Sequence, residues 1–202
     1  MTVSPMAFMR GLTFPGGQQP VIQGEGVYLR YPRMSDYPLW SELRGESRAF
    51  LSPWEPMWAR DELTKGAFRR RLKRYQKESR LDSAYAFFVF RSEDDALLGG
   101  CTLSNVRRGV TQCCALGYWV GERFARQGYM FAAVRALIPF IFATLGMHRI
   151  EAACLPSNSP SIALLAKAGF RQEGLARRYL HINGEWQDHL LFALLEDEAR
   201  LA

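Results

Sequence analysis

The chain has 202 residues, 48% of them hydrophobic and 23% charged, which is globular composition with ample material for one core. No apolar run reaches the roughly 18 residues that span a bilayer. The first 20 residues lack the continuous apolar block of a signal peptide, so a cytoplasmic protein without a membrane partner is expected. A net charge of +6 favours an anionic ligand or a nucleic-acid neighbourhood and makes a polyamine a poor electrostatic match.

Residues 1–24 mix Pro, Gly and adjacent Gln and read as an extension that either lies over the domain or is loose. A single domain is expected over 25–198. Val27 to Arg30 alternates as a first short strand, ended by Pro32. Ser35 or Asp36 can cap a helix to about Ser47, with Leu39, Trp40 and Leu43 on one face. Pro53 and Pro56 bracket a turn-rich patch around Trp54-Glu55. Asp61 to about Arg80 reads as a helix, with Leu63, Ala67, Phe68, Leu72 and Tyr75 at helical spacing. Its other face carries the run Arg69-Arg70-Arg71-Leu72-Lys73-Arg74. A solvated helix face is the ordinary reading of that run and weak RNA contact the other; no aromatic residue interleaves to stack bases.

Three strands follow, over Ala84 to Phe90, Leu97 to Val106 and Gln112 to Val120, and read as an antiparallel meander. Gly99-Gly100 invites a bulge or a close approach. The run Arg123-Phe124-Ala125-Arg126-Gln127-Gly128-Tyr129-Met130 then opens a long apolar helix. The first N–H groups of a helix lack partners within it and attract anions, and Gly128 lets the backbone approach a ligand closely. Met130, Val134, Leu137, Ile138, Ile141 and Leu145 form a buried stripe. Pro139 predicts a kink. Arg149 to Leu155 completes a strand–helix–strand crossover and hence a parallel pair. Ser157 or Asn158 caps a short helix to about Ala168. Asn183-Gly184 forms the two-residue turn of a closing hairpin, with Ile182 facing Glu185, His181 facing Trp186 and Tyr179 facing Asp188.

Cys101, Cys113, Cys114 and Cys154, with His148, His181 and His189, show neither a zinc spacing nor a disulfide framework. Reduced, buried thiols are expected, with no metal.

Gly117-Tyr118-Trp119-Val120, Arg126-Gln127-Gly128-Tyr129-Met130, Asn158-x-x-Ser161 and Lys167-Ala168-Gly169-Phe170 occur in that order. With Phe50-Leu51-Ser52-Pro53-Trp54-Glu55-Pro56 and Asn183-Gly184-Glu185-Trp186-Gln187-Asp188-His189, they make the chain resemble the GNAT acyl-CoA N-acetyltransferases over about Val27 to Leu195. The branch it resembles is the RimJ/RimL-like enzymes, which acetylate ribosomal-protein N-termini. The resemblance implies an α+β fold whose central mixed, mostly antiparallel twisted sheet is flanked by helices and splays at the strand pair that holds acetyl-CoA. It implies acetyl-CoA as co-substrate. The backbone of Arg126, Gln127, Gly128, Tyr129 and Met130 would hold the pyrophosphate, and Trp119 and Val120 the pantetheine arm. Asn158, Ser161 and Lys167 would lie beside the cofactor, with Ser161 as proton donor to the leaving thiolate. The patch around Trp54 and the helix after Asp61 would shape the acceptor cleft.

The chain departs from the family pattern at Ala125, which replaces a polar first residue of the loop. It departs again at Ala115, where many members carry a Glu base. An ordered water or Asp188 is then left to accept the proton. Direct attack by an amine in a ternary complex is expected, with the N–H of Val120 as an oxyanion donor. A covalent acetyl-cysteine is the alternative mechanism, and no basic partner adjoins any cysteine in sequence. The resemblance implies a protein N-terminus as the acceptor, that of a ribosomal protein. A small-molecule amine, or a non-catalytic acetyl-CoA or RNA-binding module, stays open.

Overall fold

The computed structural model describes residues 20–199. The first 19 residues of the expected extension lie outside them. The last four residues of that extension are a strand, β1 (Val21–Gly24), paired antiparallel with β2 (Val27–Arg30). The sheet therefore begins before residue 25. The expected strands are present as β3 (Tyr85–Arg91), β4 (Leu97–Arg107), β5 (Cys113–Val120), β6 (Arg149–Cys154), β7 (Arg171–Ile182) and β8 (Glu185–Leu195). They form one eight-stranded sheet in the order β1-β2-β3-β4-β5-β6-β8-β7. Every neighbouring pair is antiparallel except β5 and β6.

Helices cover both faces. Strand β3 is buried along almost its whole length because its alternating aromatics serve both layers. Phe88 meets Phe68 of α3 (Lys65–Arg80) at 6.2 Å between centroids, and Phe87 meets Phe140 on the other face at 5.6 Å. The first face also carries α1 (Tyr37–Glu46) and a single turn, α2 (Arg48–Leu51). The second carries α4 (Tyr129–Pro139), which runs into a π-helical turn over Phe140–Thr144, and α5 (Ser159–Lys167). A last turn, α6 (Glu196–Ala199), follows β8.

Several elements differ from expectation for identifiable reasons. In α1 the inward face is Trp40, Leu43 and Arg44, while Leu39 is exposed. The helix expected from Asp61 starts at Lys65, where the Thr64 hydroxyl accepts the Ala67 N–H. Pro139 ends the α-helical ladder, and the chain continues as a wider π turn, a usual way of absorbing a missing N–H. In the hairpin, Ile182 faces Glu185 and His181 faces Trp186 as expected. Two extra residues bulge from β7 before Leu180, however, so Ala176 faces His189 and Tyr179 does not face Asp188. The Asp188 carboxylate instead accepts the N–H of Arg178, whose φ is 48°.

The Gly99-Gly100 pair lies where β4 meets the end of β5. A Cβ at Gly99 would come within 2.2 Å of the Trp119 carbonyl oxygen, and one at Gly100 within 2.6 Å of the Trp119 ring. The first obstacle is backbone and cannot swing aside. Gly99→Ala is therefore expected to destabilise the fold by about 3 kcal/mol, the upper end of overpacking costs, read as a lowered midpoint in urea denaturation.

Candidate active site

The β5–β6 ladder has three rungs, Cys113–Arg149, Cys114–Ile150 and Ala115–Glu151. Strand β5 then continues five residues alone on that side. It stays paired with β4 out to Val120, and β6 stays paired with β8 out to Cys154. The sheet thus consists of two tightly laddered halves with a wedge-shaped gap between them.

The register fixes which groups face the gap. Gly121 donates its N–H to the Leu98 carbonyl, and Val120 lies opposite Gly99. Antiparallel ladders alternate hydrogen-bonded and non-hydrogen-bonded pairs. Val120 and Tyr118 therefore direct their N–H and C=O groups away from β4, into the gap. An extended, polar chain laid along β5 meets the same groups that an added strand would.

The loop after β5 makes a 3₁₀ turn over Glu122–Phe124, and Arg126 and Gly128 both adopt positive φ, 61° and 85°. Among the described residues, the N–H groups of Arg126, Gln127 and Gly128 have no acceptor in the chain. The first N–H groups of α4 follow directly. Successive N–H groups in a turn of this kind make an anion-binding concavity. The Gln127 side chain is tied back to the Arg123 carbonyl at 2.8 Å, and Arg123 pairs with Glu46 at 3.1 Å. Met130 points into the core, its sulfur 3.6 Å from that of Cys101. What this loop offers is accordingly backbone. Lys167 lies over the Phe131 ring at 4.3 Å, on the same face as α4.

Asn158 caps α5, its side-chain oxygen accepting the Ser161 N–H at 3.2 Å. Ser161 is brought to Tyr118 of β5, with 2.7 Å between the two hydroxyl oxygens. This contact ties α5 to the β5 side of the gap. Tyr118 belongs to the Gly117–Val120 motif, but a half-buried strand tyrosine has no sequence signal that separates packing from chemistry. Burial pushes its phenol above the ordinary value of 10, and the hydrogen bond to Ser161 only partly offsets this.

Among the described residues, the two carboxylates nearest the place of the missing base in sequence and register, Glu151 and Asp188, are both engaged. Glu151, opposite Ala115, is held by Arg107 at 2.9 Å and by Arg149 at 3.1 Å. Asp188 serves the β7 bulge. His189 is buried against Tyr179, and His181 packs edge-on to Trp186. All four cysteines are free and buried. Burial raises the thiols of Cys101 and Cys154 and takes Cys114 up to about 12, so none of these three is a thiolate at neutral pH. Among the described residues no cluster could hold a metal ion.

On the opposite face a second group closes round the end of β5. The buried Arg44 guanidinium lies between the rings of Trp58, at 4.4 Å, and Trp119, at 4.9 Å. Two of its nitrogens bind the Glu55 carboxylate, each at 2.7 Å. Its Nε is buried with no acceptor among the described residues; the indole faces supply π density to the cation instead. Glu55 also accepts from the Trp58 ring at 2.8 Å, and its carbonyl accepts the Asn183 N–H at the tip of the β7–β8 hairpin. Trp58, and not Trp54, is the indole that joins the site. Neither Arg44 nor Trp58 was expected here: an arginine on an amphipathic helix reads as solvent-facing until its partners are known.

Residues 27–171 match the acetyltransferase (GNAT) domain. An Escherichia coli [ribosomal protein uS5]-alanine N-acetyltransferase is 37% identical over 162 residues, covering 80% of each chain. Among solved structures, Mycobacterium smegmatis RimJ in complex with CoA-disulfide superposes with a TM-score of 0.82 at 34% identity, covering 89% of this chain and 88% of that one. A ribosomal-protein-S5-alanine acetyltransferase from Vibrio fischeri gives 0.81 at 30% identity, covering 88% of this chain and 97% of that one. The chain belongs to the GNAT acetyltransferase family and is an acetyl-CoA-dependent N-acetyltransferase.

Proposed function

We propose that the chain acetylates the N-terminal α-amine of a protein, and that this protein is ribosomal, in the cytoplasm. The observation that carries the reading is the gap between β5 and β6, edged by the main-chain groups of Tyr118 and Val120 and continuous with the open N–H groups of Arg126 to Gly128. The names of the E. coli, V. fischeri and M. smegmatis relatives support the choice of acceptor.

These residues fit acetyl-CoA. The loop from Arg126 to Met130 would hold the pyrophosphate through its N–H groups. Tyr118 and Val120 would hold the pantetheine arm by main-chain hydrogen bonds, whereas the main-chain groups of Trp119, opposite Gly100, face β4 and are taken up there; Asn158 and Lys167 would line the same face. Bound acetyl-CoA supplies the acetyl thioester and a thiolate leaving group. The N–H of Val120 points into the gap and is placed to stabilise negative charge on the carbonyl oxygen. Tyr118 and Ser161 share one hydroxyl–hydroxyl hydrogen bond, and with the phenol as its donor the Ser161 hydroxyl would be free to give its proton to the departing sulfur. With Glu151 and Asp188 both engaged, water takes the proton from the acceptor ammonium. The amine attacks directly, since burial keeps the thiols of Cys101, Cys114 and Cys154 protonated.

The deciding measurement is free-thiol release from acetyl-CoA with peptides that begin with Ala or Ser. Peptides should react and free amino acids should not; reaction with amino acids alone would move the acceptor to small amines. In the same assay Ser161→Ala and Tyr118→Phe are each expected to lower kcat by about 10²-fold, with the KM for acetyl-CoA changed less than threefold. An unchanged kcat in both removes the pair from the mechanism.

The pH profile follows from the same groups. kcat/KM should rise as the acceptor amine loses its proton near pH 8. It should then stay level to pH 10, because burial keeps the Tyr118 phenol protonated above its ordinary value. A falling limb below pH 10 contradicts the assignment.

Gly128→Val tests the loop. A Cβ there meets nothing within 4 Å, so the φ of 85° is the only obstacle. Strain of about 1–3 kcal/mol should re-form the loop and raise the coenzyme A Kd at least tenfold by calorimetry, with the far-ultraviolet dichroism of the native protein retained.

A further inference from the structure

An open cleft of about 350 Å³ lies beside the Trp58 indole on the α1–α3 face, lined by Tyr37, Arg48, Arg60, Glu62 and Lys65 among others. Its charge is lopsided. Glu62, its one carboxylate, is already ion-paired to Arg71. Arg48 lies 5.6 Å above the Trp58 ring, and among the described residues Arg48, Arg60 and Lys65 have no acidic partner. Three uncompensated cations in one concavity, over an aromatic floor, form a receptor for carboxylates.

The cleft shares Trp58 with the wall of side chains at the end of β5. Trp58 lines it, and the Arg44 guanidinium between Trp58 and Trp119 keeps the two rings within roughly 9 Å of each other, the reach of about three extended residues. We propose that the cleft is an acceptor subsite: a peptide whose amine sits in the β5–β6 gap passes over Trp58 and places acidic side chains, at about its fourth to sixth residues, against Arg48, Arg60 and Lys65. This rests on the N-terminal acetylation reading and adds a sequence preference to it. RNA is the less favoured occupant. The cleft has a single indole and no row of rings for stacked bases, and in the neighbouring basic run Arg70, Arg71 and Arg74 are paired with Asp61, Glu62 and Glu78.

The test uses three peptides with the same N-terminal Ala and next two residues, and with acidic, Gln or Lys residues at positions four to six. The native protein should show a KM for the acidic peptide about tenfold below that for the Gln peptide, with kcat alike, and high salt should erase the difference. Arg60→Glu with Lys65→Glu should invert the order in favour of the Lys peptide, and Arg60→Gln with Lys65→Gln should flatten it. Both pairs should leave the KM for acetyl-CoA and kcat with the Gln peptide unchanged. Equal KM values for the three peptides on the native protein overturn the subsite while leaving N-terminal acetylation standing. So does an acidic preference that survives charge reversal. No reaction with any peptide overturns the parent reading and this one together. Displacement of the acidic peptide by single-stranded RNA at lower concentration, lost in the charge-reversed protein, assigns the cleft to nucleic acid and overturns the proposal.

Discussion

A parallel ladder that stops after three rungs governs the rest of the molecule. Main-chain N–H and C=O groups need partners, and an unpaired strand edge is a template for another chain. Here the edge is internal. Strand β5 keeps β4 and β6 keeps β8 through their full lengths, so each half of the sheet is cohesive and the two separate only past Ala115 and Glu151. The gap is therefore a property of the whole sheet and does not rely on a mobile loop to stay open. Gly99 and Gly100 let β4 and the end of β5 run so close together that the unpaired edge is held in one place.

The gap passes between the two faces of the sheet, and the side chains at the end of β5 divide accordingly. Tyr118 points to the α4–α5 face and meets Ser161. Trp119 points to the α1–α3 face and meets Phe88 and Arg44. One face offers open backbone N–H groups and hydroxyls, suited to a phosphate-bearing thioester. The other offers indoles and cations, suited to a peptide. Two consecutive strand residues thus present their side chains to opposite faces of the sheet, by the strand's own geometry. Buried Arg44 ties α1, the Glu55 segment, the hairpin tip and Trp119 into one wall. Breaking one partner of such a pair leaves a buried charge, which costs far more than the pair itself contributes.

Much of this could be read from the sequence. The meander, the crossover, the loop before α4, the Asn158 cap and the hairpin turn were all legible, because each rests on local chemistry: alternation, missing helix partners, a side-chain acceptor, a turn dipeptide. What escaped reading depends on distant partners. Arg44 carries no local mark of its role, because Glu55, Trp58 and Trp119 come from other elements. Asp188 was expected opposite Tyr179 because register was counted from the turn, and counting assumes no bulge. The Arg178 backbone at positive φ inserts one. Strand β1 was hidden because its pairing with β2 is tight while its four residues are too short and mixed to stand out.

Charge shows the same distinction most sharply. The densest basic run in the sequence, Arg69 to Arg74, is largely neutralised once folded, because Asp61 and Glu62 precede α3 and fall within reach of its first turns, and Glu78 follows one turn after Arg74. Arg60 and Lys65, separated in sequence and flanked by those same acids, keep their charge unpaired in the cleft. Local density along a chain measures how many charges are present, whereas the field that a ligand meets depends on which of them have already found a partner. The acids of the Asp61-Glu62 pair are drawn toward α3 by Arg70 and Arg71, and that choice leaves the cleft beside Trp58 positive.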